Sequence, residues 1–220
     1  MNAAKLKERL KSLEGKLPEQ TRIRIHRAIS WLKRAEAEDT DNDARFIFLW
    51  IAFNAAYAHE YGLEKVERDV LRGFLKKLVG LDAGKTLHKV VFEQFTGPVR
   101  LLIENKYVFE PFWRALREHD SSNAWGERFY KEQRAALRAV VDSDTVTVLA
   151  VVFDRLYVLR NQLVHGGATW NGSVNRQQVR DGANLLGTLL PGILALMLDH
   201  PEIEFGDIAY PVIESGRKNP

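Results

Sequence analysis

From Asp41 to Glu60 the chain reads DNDARFIFLWIAFNAAYAHE, and in it Phe46, Leu49, Trp50, Phe53 and Tyr57 each lie three or four residues from another of the set. That spacing places all five on one face of a helix, whereas a strand would need alternation every second residue. A helix carrying so wide an aromatic face has to be buried, so this segment is expected to be a central one. Asp41, Asn42 and Asp43 offer caps for its first turn.

The same period runs through most of the chain. EKVERDVLRGFLKKLVG predicts an amphipathic helix ending at Gly80, and residues 86 to 119 predict two or three shorter helices broken around TGP and NKY. Further helices are expected from about Trp125 to Val141, from Thr145 to His165, and from about Val174 to Asp199 with a kink at Pro191. Only the tail, IEFGDIAYPVI, reads as extended. Strand alternation is absent elsewhere, so the expected fold is an all-α helical bundle.

With 220 residues and 45% hydrophobic content, the chain can bury a sizeable core as one domain, and no Ser/Gly-rich linker or fixed-period repeat divides it. Cysteine is absent, which removes disulfides, a thiol nucleophile and cysteine metal sites, and fits a reducing compartment. The charged N-terminus, MNAAKLKERLKSLEGK, has no apolar signal core. The uncharged stretch Ala183 to Leu198 is shorter than the roughly 20 apolar residues of a membrane span and is expected to be a buried helix. The expected location is the cytoplasm, with no membrane partner.

Net charge is +3, but residues 1 to 34 hold ten Lys/Arg against three Glu. On a helix, Ile25, Ile29 and Leu32 form one stripe while Arg24, Arg27, Trp31 and Arg34 fall opposite. Such a basic face with an aromatic in it suits a nucleic-acid backbone, and equally suits plain solvation.

The stretch LYVLRNQLVHGGATW, residues 156 to 170, carries the densest chemistry. Leu149, Val152, Leu156, Leu159 and Leu163 form the buried stripe of its helix, and Asp154, Asn161 and His165 lie on the other side. Asn161 and His165 stack on successive turns. Arg160 must reach around to join them, and Gly166-Gly167 is a natural helix stop. A histidine at that position can give or take a proton, a guanidinium can clamp a phosphate, and an amide can orient either partner. The residues alone leave catalysis and simple surface capping both open.

RNQLVH also fits the pattern Arg, polar residue, three residues, His of the HEPN superfamily (higher eukaryotes and prokaryotes nucleotide-binding), late in a long helix as in that family. LWIAFNAAYAHE resembles the earlier core helix of many bacterial HEPN proteins, and HGGATWNGSVNRQQV resembles the loop and helix that follow their motif. The resemblance covers about residues 20 to 60 and 145 to 200, so the single domain, 1 to 220, would carry residues from about 62 to 142 as a helical insertion. It implies an up-and-down bundle, commonly a homodimer, and a metal-independent RNA endonuclease of a toxin, defence or RNA-processing system, with an antitoxin or other protein as a further partner. By the same resemblance Arg160 would hold the scissile phosphate, His165 would assist proton transfer as the substrate's 2′-hydroxyl attacks, and Asn161 would position one of them. Asp154, Tyr157 and Asn54 are candidates for orienting substrate, against ordinary roles as an ion pair, a packed aromatic and a core amide. Some HEPN proteins are catalytically silent modules that bind RNA, nucleotide or protein, and an unrelated helical scaffold would carry the motif by coincidence.

No metal and no cofactor are expected. His26, His59, His88, His119 and His200 are dispersed, and Asp154 is the one carboxylate near the motif, too few for a two-metal nuclease.

Overall fold

The computed structural model describes residues 1–57, 64–173 and 175–212. Among them the chain forms ten α-helices and no strand. These are α1 (Ala3–Ser12), α2 (Glu19–Glu36), α3 (Asn42–Tyr57), α4 (Glu64–Leu81), α5 (Thr86–Lys89), α6 (Thr96–Glu104), α7 (Glu110–Arg117), α8 (Ala124–Val141), α9 (Thr145–Val164) and α10 (Arg176–Asp199). A π-helical turn, Val90–Gln94, continues α5, and a 3₁₀ turn, Lys106–Val108, leads into α7. TGP opens α6 and NKY lies at the 3₁₀ turn. Val174, His59 and Ile213 lie outside the described residues.

The aromatic face of α3 is buried along its length, and it meets α9. Phe53 stacks on Phe153 with ring centroids 4.1 Å apart, and Trp50 sits tilted against Phe153 and Tyr157. Pairs of this kind add about 0.5–1.5 kcal/mol each beyond the area they bury. On its other side α3 packs against α2 and α10. Gly182 permits that close approach, because a Cβ there would lie 2.9 Å from Leu156 Cδ2 and 3.1 Å from Phe46 Cε2. By length and composition α10 could cross a membrane, but its Leu185, Leu186, Leu189, Leu190, Ile193 and Leu194 are buried in the bundle's core, and it runs unbroken through Pro191.

The middle helices do not form a separate body. One core runs from Ala3 to Phe205 and includes Leu75 and Leu78 of α4, Leu102 and Ile103 of α6 and Ala136 of α8, and these three helices pack directly on α9. Arg155 of α9 is sealed beneath them, its guanidinium 4.5 Å from the Phe109 ring centre and 5.7 Å from that of Phe129. Burial lowers its pKa, and Glu132 and Asp154 oppose that shift.

Two sequence expectations, for Leu163 and Arg24, need correction. Leu163 is half-buried, because α9 reaches the surface in its last turn. Residues 204–212 form no strand; they cross α2 as an irregular strap held by cations. Arg24, expected on the basic outer face, is buried under that strap, where its guanidinium donates to the carbonyls of Ala56 (3.2 Å), Gly206 (3.1 Å) and Asp207 (2.6 Å). Burial lowers its pKa to about 10, and the Asp207 carboxylate partly restores it. Arg27 donates to the Tyr210 carbonyl at 2.7 Å and Lys77 to that of Glu204 at 2.7 Å. The remaining basic–aromatic face is partly self-engaged. Trp31 stacks on Phe48 at 5.8 Å, and Arg34 lies 4.7 Å over the same ring while pairing with Glu38.

Candidate active site

α9 ends where the double glycine requires. The His165 N–H donates to Asn161 O at 3.0 Å, Gly166 adopts φ +70°, and the Ala168 N–H turns back to Gln162 O at 3.1 Å. A side chain at 166 would be strained in that left-handed conformation, and a Cβ at 167 would press on Gln162 O at 3.2 Å.

The loop that follows is fastened to the start of α3. Asp43, only 7% exposed, accepts from Arg176 Nη2 with both oxygens at 2.8 Å and from the Asn171 N–H at 2.9 Å. The Trp170 indole N–H donates to Asp41 at 2.9 Å. The Asp41 pKa is lowered by the Ala44 backbone N–H and by that indole. Gln162 completes the frame, donating to Tyr107 O at 2.7 Å and accepting from Asn175 Nδ2 at 2.8 Å.

Within this frame Arg160 does reach around, and its Nη1 donates to Asn161 Oδ1 at 2.8 Å. Its guanidinium also lies 5.9 Å from the Tyr157 ring centre. His165 is exposed at the helix end, and its ring makes no hydrogen bond to the described residues. Asn161 and His165 line a groove of about 360 Å³ between α9 and α7, together with Tyr157, Val158, Gln162 and Gly167 on one wall and Glu110, Trp113 and Arg117 on the other. Arg160 borders this groove through Asn161 and Tyr157 and does not line it.

The secondary candidates divide. Tyr157 lines the groove and also a small second cavity with Trp50, Leu71 and Phe153, and Asp154, a turn earlier and 3.5 Å from Arg68, lines only the second cavity. Burial raises the Asp154 pKa and Arg68 pulls it back. Asn54 is half-buried on α3, lines neither cavity and makes no side-chain hydrogen bond to the described residues. Among the other histidines, His88 meets the Thr145 hydroxyl at 3.1 Å, His200 meets Glu202 at 3.3 Å, and His26 and His119 are exposed. No group of three His, Asp or Glu among the described residues is placed to hold a metal ion.

Sequence reasoning missed the second wall entirely. EPFWRALR does show Glu110, Arg114 and Arg117 on one helical face, and Glu110 accepts from Arg114 at 2.9 Å and Arg117 at 3.3 Å. Nothing local says that this helix folds back on the motif. One link is the Tyr107 carbonyl, which accepts from Gln162 of α9 and from the Trp113 indole of α7 at 2.8 Å.

In comparisons with known proteins, no family model, no curated protein and no solved structure matched this chain.

Proposed function

We propose that this protein is a metal-independent RNA endonuclease of the HEPN kind, with Arg160, Asn161 and His165 at its reactive end. One observation carries the reading: the three motif side chains converge where α9 ends, Arg160 tied to Asn161 at 2.8 Å and Asn161 sharing a solvent-open groove with His165. The chemistry they suit is internal transfer. The 2′-oxygen bonds to phosphorus as the P–O5′ bond breaks, the 2′ proton departs, and the 5′-oxygen gains a proton to leave as a hydroxyl. The product is a 2′,3′-cyclic phosphate, and no oxidant or reductant is needed. His165 serves one of the two proton transfers, and Arg160 stabilises the charge that gathers on the phosphate.

One histidine leaves the other transfer unassigned, and a second copy would supply it. Val164 and Trp170 flank His165 with 51% and 73% of their surfaces exposed, an apolar rim suited to burial between two α9 ends. Light scattering at micromolar concentration is expected to give a dimer, and a strict monomer would exclude this arrangement. In a toxin or defence setting the same rim is where an antitoxin would block the site.

A second reading, a silent module that binds RNA, nucleotide or a protein partner, is favoured by one feature: among the described residues none holds the His165 ring in a chosen tautomer. The deciding experiment incubates RNA, DNA and an RNA carrying hydrogen in place of the 2′-hydroxyl at its cleavage site, each with and without excess EDTA. RNA alone is expected to be cut, in both conditions, leaving a 2′,3′-cyclic end. Cleavage of DNA, or loss of activity on chelation, overturns this mechanism.

A further inference from the structure

The groove beside the motif has more to it than a nuclease needs for the bond it breaks. At about 360 Å³ it is near the lower end of small-ligand sites, the scale of one nucleotide. Its walls offer two aromatic rings, Trp113 and Tyr157, with Val158 between the polar groups. The Trp113 indole N–H is committed to Tyr107 O at 2.8 Å, which fixes the plane of the ring.

The polar groups of the groove are unevenly occupied. Gln162 is used at both ends, by Tyr107 O and Asn175 Nδ2. The Glu110 carboxylate is taken by Arg114 and Arg117. The Asn161 amide orientation is fixed by chemistry, since a guanidinium can only donate, so the atom 2.8 Å from Arg160 Nη1 must be the oxygen. That leaves the Asn161 Nδ2 hydrogens, the remaining Arg117 N–H groups and the His165 ring for an occupant. The groove therefore offers flat apolar surface and a fixed amide donor in Asn161, with its one carboxylate, Glu110, already ion-paired to Arg117.

We infer that this groove, built by α7 against α9, is a base-selecting subsite that stacks one RNA base between Trp113 and Tyr157 and favours uracil or guanine, which carry a carbonyl oxygen (O4, O6) where cytosine and adenine carry an amino group. Asn161 Nδ2 donates to the base carbonyl, and Arg117 and His165 flank the adjoining phosphate. A cytosine amino group in the same place would face an amide N–H and lose its partner, so discrimination arises from an unpaired donor. The assignment rests on the reading of the site as an RNA site, but it does not need the site to cut.

The test is equilibrium binding of uridine and cytidine 3′-monophosphates, which differ at O4 and N4 and offer no bond for cleavage, to the full chain by calorimetry. Uridine monophosphate is expected to bind roughly tenfold more tightly. Trp113→Phe is expected to keep that affinity, and Trp113→Leu, checked for an unchanged melting temperature, to lose roughly tenfold or more. Equal affinity for the two nucleotides, or a Trp113→Leu variant that binds like the parent, overturns the subsite. RNA cleavage with no mononucleotide binding sinks the subsite and leaves the nuclease, whereas selective binding with no cleavage of any RNA sinks the nuclease and leaves the subsite.

Discussion

His165→Ala is expected to lower RNA cleavage by about 10²–10⁴-fold, the usual contribution of a positioned acid or base, while leaving the melting temperature where it was. The side chain is exposed at the end of α9 and holds nothing in the core, so its removal opens no cavity. Arg160→Ala should act similarly, by about 10²–10³-fold, through loss of charge stabilisation at the phosphate. Arg160→Lys should recover little, because an ammonium has no planar fork to meet both the Asn161 oxygen and a phosphate. Initial rates on mixed RNA, measured beside thermal melts, check all three. Variants that fold and cut like the parent would mean that neither residue acts in the reaction.

Asp43→Ala is expected to have the second large effect, on stability first. Asp43 joins the start of α3 to Arg176 and to the Asn171 backbone, so the substitution leaves a partly buried guanidinium without its carboxylate, holding only the Gly172 carbonyl. Breaking a fully buried pair costs about 3–5 kcal/mol; Arg176 keeps 29% of its side-chain surface in water, so roughly 2–4 kcal/mol is expected here. Cleavage should fall as well, although Asp43 lines no part of the groove, because the loop after His165 loses its anchor. Asp43→Asn keeps an oxygen for the Asn171 N–H and should fall between the two. Urea denaturation gives the stability, and rates taken well below the transition give the activity. A midpoint within error of the parent would refute the anchoring role.

The outline of the molecule was legible because its helices declare themselves locally. Phe46 to Tyr57 and Leu149 to Leu159 are buried as their spacing required, and Gly166-Gly167 ends α9 by a backbone need that any reader of sequence can name. Apart from Leu163 at the end of α9, the failures were long-range. Arg24 looked solvated because it sits opposite an apolar stripe, and only the strap 182 residues later covers it. Trp113 and Arg117 were not singled out, since the carbonyl that links α7 to α9 is backbone and leaves no trace in composition. Asp43 read as one of three interchangeable capping residues, and its selection as the loop anchor depends on Arg176, 133 residues away.

The strap across α2 has a consequence for how the chain can vary. Three cations grip it at Glu204, Gly206, Asp207 and Tyr210 by main-chain oxygens, which every amino acid possesses, proline included. Phe205 and Ile208 are held by what they are, through burial, Gly206 by its φ of +80°, and Asp207 by the charge its carboxylate sets beside Arg24. The burden of specification thus falls on the grippers and not on the gripped. Drift in the other strap residues leaves the fastening intact, while a change at Arg24 undoes several contacts in one step.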